Sequence, residues 1–154
     1  MLGKTFVNAR VVGVGFVIIV AMAIVLRVSD SGTHRSVVKI GGESIAVEIV
    51  GTSASRERGL SGRKNLVTGT GMLFVFLEPT RSGFWMKDMR FPIDIIWIEG
   101  GRVIDIAPQA PTPLPTGDLP VYYPRLPASY VLEVPSGFSR DHNVKIDDLV
   151  DIKI

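Results

Sequence analysis

Seven prolines fall between residues 108 and 127, at positions 108, 111, 113, 115, 120, 124 and 127. Proline fixes φ and removes a backbone donor, so neither a helix nor a central strand can cross this stretch. The sequence therefore predicts a long, semi-rigid, partly polyproline loop over the surface, with Tyr122 and Tyr123 as its amphipathic anchors. There are 16 Gly and 10 Pro in 154 residues, and punctuation this dense argues against long helices beyond the N-terminus.

Around the loop the chain breaks into short runs of period two, the pattern of strands. Ile45, Val47 and Ile49 alternate with Ser44, Ala46 and Glu48. Residues 71–76, 93–98, 102–106, 130–134 and 150–154 read as further strands. Gly100-Gly101 marks a hairpin, because both turn positions want positive φ. Thr52 is placed to cap a short helix over 53–58, which Gly59 can end. Asn143 suits a left-handed turn position. The expected fold is mainly β: a small single-domain barrel or sandwich over residues 37–154 with one short helix.

The N-terminus has a different character. Residues 11–26 are 16 consecutive residues without a charged or strongly polar side chain, between Arg10 and Arg27. As a helix the run would be roughly 24 Å long, a little short of the ~30 Å hydrocarbon core. Snorkelling by Arg10 and Arg27 and slight bilayer thinning make up the difference. The sequence predicts a transmembrane anchor or signal segment over 1–28, a polar linker over 29–36, and the β domain after it. Lys and Arg are nearly balanced across the run, so the usual N-terminal mode decides the orientation: basic end inside, domain extracytoplasmic. Ala21-Met22-Ala23 also fits a cleavage site, which would release a secreted or periplasmic domain. The apolar run continues through Leu26, however, and favours the uncleaved anchor.

Charge follows the same division. Residues 1–35 carry a net +3 and residues 36–154 a net −1, so the pI of about 9.1 belongs to the N-terminal segment and gives no reason to expect a nucleic-acid partner. Cys is absent and His occurs only at 34 and 142. Disulfides, thiolate metal sites, iron–sulfur clusters and multi-His metal centres are excluded, and no metal or cofactor is expected.

The domain's motifs occur in a specific order: Thr52, Glu57-Arg58-Gly59-Leu60, Arg63, Gly71-Met-Leu-Phe-Val-Phe76, Phe84-Trp-Met-Lys87 and Pro92-Ile-Asp94. Tyr130-Val-Leu-Glu-Val-Pro135, His142 and the Asp148 turn follow. From about residue 40 to 154 the chain closely resembles the bacterial and archaeal family known as domain of unknown function 192. The resemblance implies a compact β-rich fold, often behind a signal peptide or anchor, and no established activity. The chain departs from the family pattern at Ser61-Gly62, where Met is common, at Asp88, where Asn is usual, and at Asn143, a common Gly position.

Three constellations carry the functional expectations. Residues 56–90 hold seven basic against three acidic side chains, and residues 91–154 five against nine, a dipolar distribution that would attract an anionic glycan, lipid headgroup or peptide carboxylate. On a strand, Trp85 and Lys87 share one face, and an indole beside an ammonium is a usual floor for sugar or peptide recognition. With Arg63 they would border a shallow pocket roofed by Tyr122 and Tyr123. Asp94 sits inside an apolar run, where a carboxylate needs a cation or several N–H groups. Arg58, Arg63 and Lys87 are the candidate cations. The bland readings of the same residues are a solvated basic face, a core Trp and a structural ion pair. Taken together, the residues favour a membrane-anchored binding or envelope-associated module over an enzyme. The alternative is a small hydrolase of a cell-envelope polymer using Asp94 with Asp88 or Glu78 as paired carboxylates.

Overall fold

The computed structural model describes residues 36–113 and 119–154. The anchor expected over 1–28 and all but the last residue of the expected linker lie outside them. Among the described residues no helix is long and apolar enough to cross a membrane.

The elements in chain order are β1 (Val37–Ile40), β2 (Glu43–Val50), α1 (Ser53–Arg58), β3 (Thr70–Thr80), β4 (Phe84–Trp85), β5 (Ile93–Glu99), β6 (Arg102–Ala110), β7 (Val121–Tyr122), β8 (Ala128–Pro135), α2 (Phe138–Asp141) and β9 (Asp151–Lys153). Seven strands form one sheet in the order β6-β5-β8-β3-β2-β1-β9, and β4 pairs with β7 in a separate ribbon. Within the sheet every pairing is antiparallel except β2–β3, whose crossover contains α1. Thr52 and Ser55 form a reciprocal capping box at the start of α1, and Gly59 ends it with φ +47°. Gly100 and Gly101 both take positive φ in the β5–β6 hairpin, and Asn143 has φ +52°.

The central strands β3, β5 and β8 are buried on both faces. On one face Leu73, Ile96, Leu132 and Val134 join Val38 and Ile40 of β1 and Val103 of β6 in a single cluster. Strands from opposite ends of the sheet can share a cluster only if the sheet curls. Its edges meet at one end, where Val103 N–H donates to the Asp148 carbonyl at 3.0 Å and Val150 N–H to that of Gly101 at 2.9 Å. The expected barrel or sandwich is thus a curled half-barrel. Its last strand has three residues against the nine of β6, too few to close the sheet along its length. The other face carries Met72, Phe74, Ile95, Trp97 and Val131, covered by Leu60, Met86, Met89 and the β4–β7 ribbon.

The proline-rich stretch is interrupted by more structure than its composition suggests. Strand β6 runs through Pro108 to Ala110 because it is an edge strand, where a missing donor costs no ladder bond. The short strand β7 pairs Val121 with Trp85 and Tyr122 with Phe84. Asp105 accepts from the backbone and guanidinium of Arg125, and Arg81 donates to the Pro124 carbonyl, so the far end of the loop is pinned at two points.

Candidate functional site

The strand pleat builds a cavity of about 280 Å³ between β3, β4, α1 and β8. Phe74 and Phe76 project from β3, and Phe84 of β4 meets both edge-on, with ring centroids 4.9 and 6.5 Å away. Trp85, 46% exposed, lines the cavity as well. Helix α1 buries none of its own residues, so it lies over this face without sealing it and contributes Arg56, Glu57 and Arg58 to the opening. The Arg56 guanidinium lies 4.9 Å from the Phe76 ring and donates to the carbonyls of Gly51 and Val75. Arg58 is exposed and has no salt bridge among the described residues.

Glu133 lines the same cavity from below. Opposite Met72 on β3 and Ile95 on β5, its side chain falls on the aromatic face of the sheet. It is 6% exposed, and its Oε2 has no hydrogen-bond partner. Burial pushes the carboxyl up to about 8, opposed by the nearby positive charge of Arg63. At neutral pH the group therefore holds its proton and can donate as well as accept. A carboxyl inside the apolar run Val131-Leu-Glu-Val134 is the same sequence signal that singles out Asp94; applied to residue 133, it would have found this group.

Of the expected binding residues, Trp85 lines the cavity, and Arg63, Lys87, Tyr122 and Tyr123 do not. Phe84 and Met86 are buried while Trp85, 46% exposed, and Lys87 face outward, as strand alternation requires. The Lys87 ammonium lies 5.8 Å from the Trp85 ring. Tyr122 pairs with Phe84, and Tyr123 packs on Gly83 so closely that a Cβ there would come within 2.7 Å of its ring. Arg63 is bonded to Glu48 at 2.6 Å and acts on the cavity through its field at Glu133.

Asp94 lies on the opposite face of the sheet and is fully buried. Its Oδ1 accepts from the N–H groups of Gln109 at 2.8 Å and Gly137 at 2.9 Å, and its Oδ2 from Ser139 at 2.8 Å. Of the two partners expected there, a cation or several N–H groups, the structure supplies the second: three main-chain donors, two of them at the start of α2. The N-cap of that helix, Gly137, has no capping side chain, and Asp94 takes the role from a distant strand. Asp88 is exposed in a tight turn with φ +57°, a conformation that Asp and Asn tolerate better than most residues. It lines a more open depression with Ser61, Gly62, Met89 and Arg90. Glu78 is exposed on β3. None of the three principal cavities holds two of these carboxylates, so the geometry does not carry the paired-carboxylate expectation. Among the described residues no cluster of His, Asp or Glu is arranged to hold a metal ion.

Two solved structures share the fold. One is a protein of unknown function from Novosphingobium aromaticivorans DSM 12444, 29% identical, with a TM-score of 0.67 over 75% of this chain and 82% of that one. The other, from Sinorhizobium meliloti 1021, is described as a proposed transcription regulator; it is 26% identical, with a TM-score of 0.68 over 76% of this chain and 91% of that one. No curated protein matches the chain. The model of the uncharacterised family DUF192, described as an uncharacterized ACR, matches residues 36–152, and the chain belongs to that family.

Proposed function

We propose that the chain is a ligand-binding module of the cell envelope. In this reading residues 11–26 tether it to the membrane and the domain from residue 37 is extracytoplasmic; a secreted or periplasmic domain after signal cleavage is the second arrangement. The ligand joins an apolar group to an anionic one, chemistry shared by acidic glycans, lipid headgroups and peptide carboxylates. A single observation supports the binding site: an aromatic cavity that opens beneath Arg56 and Arg58, with Lys87 stacked on its Trp85 wall. The apolar group enters between the rings, and the anion remains at the arginines, where partial exposure keeps it hydrated.

The transcription-regulator description of the Sinorhizobium protein is not extended to this chain. Residues 36–154 have a net charge of −1, and the helices described have six and four residues, too short to read a major groove. For the site, Trp85 fluorescence is titrated with n-hexanoate and n-hexanol. Hexanoate should bind more tightly, and added salt should reduce the difference; equal affinity for the two would remove the anionic specificity. For the location, full-length protein should sediment with membranes and the domain should be accessible to protease from the outer side. Full-length protein in the cytosolic fraction would overturn the tether.

A further inference from the structure

The binding reading accounts for the rim and walls of the cavity and leaves its floor unused. Glu133, more than nine-tenths buried, lines a space shared with Phe74, Phe76, Phe84 and Trp85, and its Oε2 is buried there without a donor. An orphaned buried oxygen is costly unless something donates to it. The ring faces are themselves suited to cations: a guanidinium already lies over Phe76 and an ammonium over Trp85. A cation alone would have to enter past Arg56 and Arg58. A ligand carrying its own anion at the far end of an apolar spacer meets both requirements.

Building on that reading, we propose that the cavity takes a zwitterion, an ammonium group joined by an apolar spacer to an anionic group, and that Glu133 gives up its proton when the ammonium binds. In the empty cavity burial keeps the carboxyl protonated. On binding, the carboxyl O–H bond breaks, the proton leaves to solvent, and the ligand's N–H groups donate to the carboxylate formed. The charged groups around it are Arg56, Glu57 and Arg58 from α1 and Arg63 from the loop that follows. From the strands β3, β4 and β5, the side chains facing it are apolar: Met72, Phe74, Phe84 and Ile95. Arg63 assists the proton's departure, and Arg58, unpaired among the described residues, meets the anion.

Three matched probes test this: ε-aminocaproate, n-hexanoate and n-hexylamine. Each is titrated calorimetrically at pH 7 in two buffers of different ionisation enthalpy, which reads proton release directly. ε-Aminocaproate should bind roughly tenfold or more tightly than either single-charge probe, as expected for a desolvated charged hydrogen bond, and should release a proton. In Glu133→Gln both the preference and the proton release should disappear, with circular dichroism confirming the fold. Arg58→Glu, on the exposed rim, is the second variant and should reverse the order so that n-hexylamine binds best. If n-hexanoate matches ε-aminocaproate, or ε-aminocaproate binds without releasing a proton, the zwitterion inference is overturned and the apolar–anionic site stands. If no probe produces heat or changes Trp85 fluorescence, both are overturned.

Discussion

Two carboxyl groups lie on neighbouring strands of one sheet, one on each face, and their surroundings are opposite. Asp94 of β5 receives three main-chain N–H groups and joins the β5–β6 edge to the start of α2. Glu133 of β8, one residue away in the pairing register, lines a cavity and has a buried oxygen that receives none. A buried carboxylate satisfied on both oxygens acts as a structural joint. A buried carboxyl left unsatisfied costs stability, and the cost is tolerated where a ligand supplies the missing donor. On this comparison, Asp94, which the sequence reads as a structural ion pair with a catalytic alternative, is held by main-chain donors, and Glu133, which it reads only as part of a strand, carries the oxygen without a donor.

The largest expected effect is at the joint. Asp94→Ala leaves three N–H groups without their acceptor, two of them in buried bonds, and should cost on the order of 3–5 kcal/mol in denaturant unfolding. A loss below about 1 kcal/mol would mean the joint is not structural and would dissolve the contrast.

Next comes the pH dependence of the Glu133 face. The folded carboxyl titrates near 8 against 4.5 for the unaltered group. Between these values the folded protein holds a proton that the unfolded chain has released. Its contribution to stability is thus fully present below about pH 4.5 and declines as pH rises toward 8, by about 1 kcal/mol per unit. Glu133→Gln should lack this component, so its stability advantage over the native protein should grow from pH 5 to pH 8. Parallel pH profiles for the two proteins would place an unseen donor on Glu133.

Smaller effects sharpen the outline of the site. Trp85→Ala and Lys87→Ala should each change stability by less than about 1 kcal/mol, since both residues are substantially exposed, while abolishing the fluorescence or chemical-shift response to ε-aminocaproate. Unfolding of either variant would return Trp85 to the core. Smallest of all, Arg63→Ala removes the positive charge that opposes the rise at Glu133. Carboxyl titration by NMR should then place Glu133 higher than in the native protein; an unchanged titration would show that the Arg63 field does not reach it.

The local devices of this fold are legible in the chain. Period-two runs mark the strands, Gly100-Gly101 the hairpin, and Thr52 and Gly59 the two ends of α1, because each depends on residues within a few positions of one another. The opposite orientations of Phe84 and Trp85 are local in the same way, being set by the pleat. Helix α2 is not legible: its N-cap is a glycine, and it is capped by a side chain from residue 94. The seven prolines correctly exclude a central strand but cannot show that β6 lies at an edge, where Pro108 is harmless.

By itself the sequence marked Asp94 as a carboxylate inside an apolar run that must leave water; Glu133 sits in a run of the same kind, Val131-Leu-Glu-Val134, that reads only as a strand. Only the tertiary structure decided what each would meet there. Hydrogen-bond partners are assigned by sheet order and curl, which bring Gly137 and Ser139 to Asp94 and leave Glu133 facing a gap under α1. Burial is a property of a short segment and its pattern; satisfaction is a property of what the rest of the chain folds against it.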